Sequence, residues 1–195
     1  MLKIGVIGYG YWGPNIVRNF SSVDGATVVM ISDMNANILK NKVKKAYPHI
    51  ATTTNADEVI KNPEIDAIAI VTPVFTHFEI AKKALENGKS IFVEKPFTYT
   101  VAEAEQLVNL AEKKKLKIMV DHTFLYTGAV RKIRQLIDDN VLGHLYYFDS
   151  IRVNLGLFQH DVNVVWDLAP HDIAIMDYVI GHKPEAVVAT GAGHF

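Results

Sequence analysis

The sequence predicts an α/β fold: a doubly wound parallel sheet, followed by a truncated α+β region with a mostly antiparallel sheet. Three observations carry this reading. Over the first two-thirds of the chain, short near-continuous apolar runs alternate with longer amphipathic stretches, the pattern of parallel strands covered on both faces by helices. Three glycines, Gly8, Gly10 and Gly13, interrupt the chain between the first apolar run and the first amphipathic one. After Asp121 the pattern changes to a long alternating run, as in a strand with one face in water.

The elements follow in order. "KIGVIG" reads as a buried strand, and a helix starts over Pro14 to Phe20, with the proline suited to its first turn. "ATVVMISD" is a second strand, followed by a helix from about Asn35 to Ala46. "IDAIAIVT" is a third strand, rich in β-branched residues, and "SIFVEK" and "KIMVD" are two more. Asn55-x-x-Glu58, Thr76-x-x-Glu79 and Thr100-x-x-Glu103 each match a capping-box pattern and mark helix starts. The basic run in "AEKKKLK" suits a helix end, where the dipole favours cations. Beyond Asp121, a helix from about Gly128 to Asn140 closes at Gly143. "HLYYFDSIRVNLG" reads as an antiparallel-type strand, a helix follows around Trp166 to Ile180, and "EAVVAT" is a last strand. The expected division is a first domain over 1–120 and the beginning of a second over 121–195. Two strands make a poor sheet alone, so the second region is expected to be incomplete.

Charge and composition narrow the function. Twenty basic residues against twenty-one acidic give a formal charge of −1, which offers no footprint for nucleic acid or an anionic membrane. The absence of cysteine excludes disulfides and thiolate metal sites and suits a reducing cytoplasm. No apolar stretch reaches the length of a membrane-spanning helix, and the short apolar N-terminus lacks the pattern of a signal peptide.

The glycine cluster is a G-x-G-x-x-G that follows a strand and opens a helix. In that context Gly8 permits the tight turn, Gly10 lets a pyrophosphate approach the backbone, and Gly13 lets helix and strand pack closely. The helix N-terminus then offers N–H groups and a positive dipole end to phosphates. Asp33 lies twenty residues past Gly13, at the end of the second strand, where a carboxylate binds a ribose 2′-hydroxyl. This is the Rossmann arrangement. A carboxylate there repels the extra phosphate of NADP, and "MNAN" supplies no arginine to receive it, so NAD is favoured over NADP. Tyr11 and Trp12 sit in the loop and flank the cofactor or pack on the protein. A methyltransferase can also use such a loop and acid; later residues separate the two.

Ligands of a doubly wound sheet bind beyond the C-terminal ends of its strands. "VTPVFTH" and "VEKPF" both fall there. Lys95 can stabilise an oxygen that becomes alkoxide-like during hydride transfer, or form a surface pair with Glu94. Asp167 and His171 are four residues apart, on one face if the helix already runs through Asp167. An aspartate beside a histidine orients the ring and stabilises its charged form, which tunes a base; a helix cap is the plainer use of Asp167 or Asp172. His122 is a further polar residue at this end of the sheet, for substrate or for structure. The His160-Asp161 pair makes a metal conceivable, but no recognised ligand spacing is present, so no metal is expected.

Together, "GVIGYGYWG", "VTPVFTHFEIAKKALENGKSIFVEKP" and "DLAPHDI" resemble the Gfo/Idh/MocA oxidoreductases, relatives of glucose-fructose oxidoreductase and inositol dehydrogenase, over essentially the whole chain. The resemblance implies an NAD(P)-dependent sugar or polyol dehydrogenase. It implies Lys95 and His171 as the catalytic pair, Asp167 assisting, and Thr72, Pro73, His77 and Glu94 lining the nicotinamide side. It also implies a cis Lys95–Pro96 bond and a homo-oligomer, dimer or tetramer, formed through the C-terminal sheet. Substrate contacts are expected from Lys95, His122, Asp167 and His171, with a sugar, a polyol or, from the flavour of "GYGYWGPN" and "NLGLFQHD", a nucleotide sugar. Where many relatives carry an arginine after the "KIMV" strand, "DHTFLYTGAV" has none. Two other readings remain: an NAD-binding sensor without turnover, which needs neither Lys95 nor His171, and an interaction module built on the exposed sheet edge.

Overall fold

The computed structural model describes residues 1–153 and 162–193 and divides the chain into two compact units, Met1–Asp121 and His122–Phe195. The first is a six-stranded, wholly parallel sheet of order β3-β2-β1-β4-β5-β6. Its strands are β1 (Leu2–Ile7), β2 (Ala26–Ser32), β3 (Ala51–Thr53), β4 (Ala67–Ile70), β5 (Ser90–Val93) and β6 (Ile118–Val120). The order reverses between β1 and β4, which makes the crevice at their C-terminal ends the topological switch point.

The apolar runs become strands because both their faces are buried. Ile68 and Ile70 of β4 join one core cluster with Val59, Leu85 and Leu107; the alternate residue Ala69 joins the other with Ile16, Val17 and Val43. Burying each large aliphatic side chain contributes about 1.5–3 kcal/mol. Helices α1 (Gly13–Ser22), α4 (Ala56–Lys61), α5 (His77–Glu86) and α6 (Val101–Lys114) connect the strands. The helix expected after β2 is composite: α2 (Ala36–Ile38), a π-helical stretch Leu39–Val43, and α3 (Lys44–Ala46). Leu39 and Val43 of that stretch are both buried.

Of the three capping-box patterns, one closes in full. The Thr100 hydroxyl accepts from Glu103 N–H, and the Glu103 carboxylate accepts from Thr100 N–H, at the start of α6. Asn55 caps α4 through Asp57 N–H instead. Thr76 does not cap α5, because its hydroxyl lies 2.6 Å from the Thr72 hydroxyl and 2.7 Å from the Pro73 carbonyl.

The second unit holds α7 (Gly128–Asp138) and α8 (Val164–Ile180). Arg134 ties them: its guanidinium donates to the Tyr178 carbonyl at 2.7 Å and to the Asp138 carboxylate at 2.9 Å. Asn163 caps α8 through Trp166 N–H, and Gly181 ends it with a left-handed φ of 77°. No strand occurs after β6 among the described residues, so the antiparallel strands expected at 144–156 and 185–190 are not formed there. The alternation is real, but a strand is stabilised by a neighbour's N–H and C=O groups, and none of the described segments offers them. Residues 154–156 and the His160-Asp161 pair lie outside the described residues.

Candidate active site

Three loops meet the C-terminal edge of the sheet around the switch point. The first leaves β1 through Gly8, whose φ is +98° and whose N–H donates to the Ser32 carbonyl at 2.8 Å. A Cβ on Gly8 would overlap the backbone carbonyl of Val71, so the turn that lets the chain clear β4 admits only glycine. Gly13 is equally confined, with the Gly8 carbonyl oxygen 2.9 Å from where its Cβ would stand. Gly10 is the opposite case: it is exposed, and nothing lies within 4 Å of a Cβ placed there. Among the described residues no side chain caps α1, which starts beside this loop with Pro14 in its first turn. A glycine loop with one open backbone position at an uncapped helix N-terminus fits a pyrophosphate. Tyr11 and Trp12 stand exposed on the loop, their rings edge to face at 5.5 Å.

Asp33, at the end of β2, is fixed by its neighbours. One carboxylate oxygen accepts from Tyr9 N–H in the glycine loop and the other from Asn35 N–H, both at 2.8 Å. Two of the roughly four acceptor directions of a carboxylate are thus used, which leaves capacity for a diol.

The loops after β4 and β5 are joined by His77. Its ring is 1% exposed, with Nε2 2.7 Å from the Thr72 carbonyl and Nδ1 3.0 Å from the Pro96 carbonyl. Burial holds its pKa below the ordinary value, against the pull of those carbonyls. His77 therefore packs between the Thr72-Pro73 turn and the Glu94-Lys95-Pro96 turn, and its neutral ring donates to one of the two carbonyls while contacting the other. The Lys95–Pro96 bond is cis. Lys95 is half-buried, and Glu94 is 8% exposed. Burial, and then the charge and hydrogen bond of Asp121, push the Glu94 carboxyl up from the ordinary 4.5 to about 8 against the opposing effect of Lys95. Asp121, just past the end of β6, is the residue at this edge that sequence reasoning missed; the pairing of β5 with β6 brings it to Glu94.

In the second unit Asp167 and His171 both lie on α8, one turn apart and half-buried, so the condition attached to their spacing is met. Pro170 precedes the histidine inside the helix. The His171 ring packs edge to face on Phe124 at 4.8 Å, and the Arg152 guanidinium stands over the same phenyl ring, 5.3 Å from its centroid. Arg152 also pairs with Asp172, which accepts from the Ser150 hydroxyl at 2.7 Å. Burial would raise the Asp172 carboxyl; the Arg152 and Ser150 hydrogen bonds outweigh it and hold the group below its ordinary value. His122 opens the short 3-10 turn Thr123–Tyr126. Among the described residues no three His, Asp or Glu side chains cluster as metal ligands, and no helix is long and apolar enough to cross a membrane.

Residues 2–122, spanning the glycine loop, Asp33 and the Glu94-Lys95-Pro96 turn, match the Gfo/Idh/MocA family, described as an oxidoreductase family with an NAD-binding Rossmann fold. The chain belongs to the Gfo/Idh/MocA oxidoreductase family. Similar proteins include the uncharacterized oxidoreductase YdgJ of Escherichia coli, 31% identical over 87% of this chain and 51% of that protein. The scyllo-inositol 2-dehydrogenase (NAD(+)) of Bacillus subtilis is 29% identical over 100% of this chain and 56% of its own length. A crystal structure of scyllo-inositol dehydrogenase from Lactobacillus casei, with NAD(H) and scyllo-inositol bound, shares the fold at a TM-score of 0.68 and 24% identity, over 73% of this chain and 42% of that one. The chain spans about half the length of the curated relatives it matches. Like its relatives, this Gfo/Idh/MocA chain is built on an NAD-binding Rossmann fold, with inositol dehydrogenases among the proteins similar to it.

Proposed function

We propose that this protein transfers hydride between a nicotinamide cofactor, NAD in preference to NADP, and a carbinol carbon of a sugar, polyol or nucleotide sugar. The observation that supports this best is the gathering, at one sheet edge, of an open glycine loop, a carboxylate at the end of β2, and a half-buried lysine at the end of β5. Gly8, Gly10 and Gly13 with the start of α1 would hold the pyrophosphate, and Asp33 the adenosine ribose diol. Tyr11 and Trp12 would flank the dinucleotide, while Thr72, Pro73 and Glu94 would line its nicotinamide end with His77 fixing their backbone. When bound, NAD supplies the hydride-accepting carbon.

The side chains do the rest. Lys95 donates a hydrogen bond to the substrate oxygen and stabilises the negative charge it gains as the carbon is oxidised. His171 takes the hydroxyl proton, and Asp167 orients the histidine or the substrate. His122 contributes a substrate contact. These roles rest on the residue chemistry and on family membership. Assembly into a homo-oligomer through the region after β6, and residence in the cytoplasm, belong to the same proposal.

The test is reduction of NAD by the intact protein across polyols, sugars and nucleotide sugars, with Lys95→Ala and His171→Ala beside it. Both variants are expected to lose at least about a hundredfold in kcat, the typical contribution of one positioned acid–base or charge-stabilising group. Unchanged turnover in both would falsify the mechanism. Dinucleotide binding with no turnover on any substrate would mark the protein as a sensor instead.

A further inference from the structure

Glu94 enters the hydride-transfer scheme only as a lining residue and Asp121 not at all, yet the two lie at the strand ends beside Lys95. β5 and β6 run parallel with Val93 opposite Val120, so the next residue on each strand, Glu94 and Asp121, stand side by side. Backbone bonds fix both: Glu94 N–H donates to the Ile70 carbonyl at 3.0 Å, and Asp121 N–H to the Val93 carbonyl at 2.9 Å. Glu94 is buried, and the parallel register sets its side chain on the same sheet face as that of Asp121, whose charge and hydrogen bonding push the Glu94 carboxyl up. Ionised carboxylates only accept hydrogen bonds, so a bond between two of them requires a proton on one. Two like charges in one desolvated site cannot both persist, which is why such pairs share a proton.

We propose that Glu94 and Asp121 form a proton-sharing carboxyl pair that sets the charge beside Lys95, with Asp121 as a positioning residue for the lysine. The pair holds one proton and one negative charge. Lys95, the next residue after Glu94, then faces a single counter-charge, which leaves its ammonium able to turn to a substrate oxygen. Loss of the shared proton would place two negative charges there and draw the ammonium into them. The charged groups acting on Glu94 are Asp121 from the end of β6 and Lys95 from its own strand end, which favours ionisation. His77, from the start of α5, is turned onto the Thr72 and Pro96 carbonyls. The consequence for turnover rests on the reading of Lys95 given above; the pair itself does not.

The test is a carboxyl-carbon NMR titration of the protein labelled at glutamate, with and without NAD. One glutamate should titrate near pH 8, and its signal should be absent in Glu94→Gln. In Asp121→Asn the same signal should move down by about one unit or more, once the like charge and its hydrogen bond are gone. In turnover, the wild-type kcat/KM should fall along an alkaline limb near pH 8 that Asp121→Asn lacks, a change that a merely structural role for Asp121 would not produce. The pair is ruled out if every wild-type glutamate titrates in the ordinary range, a result that needs no variant to fold. It is also ruled out if the Glu94 midpoint is unmoved in Asp121→Asn. If the titration behaves as expected and no substrate turns over, the carboxyl pair stands and the assignment of the reaction fails.

Discussion

Gly8 and Gly10 are both glycines of one loop, and the structure gives them different tasks that a pair of alanine substitutions separates. At Gly8 the backbone is left-handed, φ +98°, and an added Cβ meets the Val71 carbonyl. The left-handed conformation costs an alanine roughly 1–2 kcal/mol. The overlap is with backbone, so no rotamer change relieves it. Moving β4 away strains the Val71 N–H bond to the Ile7 carbonyl, now 2.8 Å, which adds about 1 kcal/mol. Gly8→Ala should therefore lose about 2–4 kcal/mol. At Gly10 a Cβ meets nothing, so Gly10→Ala should leave stability within about 0.5 kcal/mol of wild type. It should instead weaken dinucleotide binding at least tenfold, because the methyl group occupies the face on which a phosphate approaches the backbone. Urea unfolding and calorimetric titration with NAD measure the two quantities. Equal destabilisation by both substitutions, or wild-type NAD affinity in Gly10→Ala, would refute the division of labour.

His77→Ala removes a buried bridge between two loops and should cost about 2–4 kcal/mol in urea unfolding, with His77→Gln costing less because an amide N–H can restore one bond. Glu94 titrates higher in the folded chain, about 8, than the ordinary 4.5, so the folded state holds a proton that the unfolded state has released between those values. Stability should then fall as pH rises through that window, by up to about 1.4 kcal/mol per unit, and Glu94→Gln should flatten the dependence in unfolding curves compared at pH 5 and pH 9. Asp33→Asn should lower NAD affinity by roughly 10–100-fold, the weight of a charge-assisted hydrogen bond, and narrow the preference over NADP, both read by titration with the two cofactors.

The sheet was legible because its strands are buried on both faces, which leaves an apolar run such as "IDAIAIVT" with no competing reading. β3 was not, since Ala51–Thr53 has three small or polar residues and becomes a strand only by pairing with β2. The glycine loop and Asp33 were legible because backbone geometry and charge tie each residue to a sequence position. Thr76-x-x-Glu79 misled because the threonine hydroxyl found partners in its own loop, a competition that the pattern does not encode. Asp121 was passed over because its meaning depends on the register between two strands about thirty residues apart. The Ser150-Arg152-Asp172 network around His171 was hidden for a similar reason: in sequence, Ser150 and Arg152 are only polar positions in an alternating run.

In the proposed function the loops around the β1/β4 crevice hold a dinucleotide with its nicotinamide toward Lys95. A crystal structure of the protein grown with NAD would decide this. The expected result is the pyrophosphate on the Gly8–Gly13 loop, the adenosine ribose on Asp33, and the nicotinamide ring beside Lys95 and His171. A dinucleotide bound elsewhere, or bound in the crevice with its nicotinamide turned away from both side chains, would contradict it.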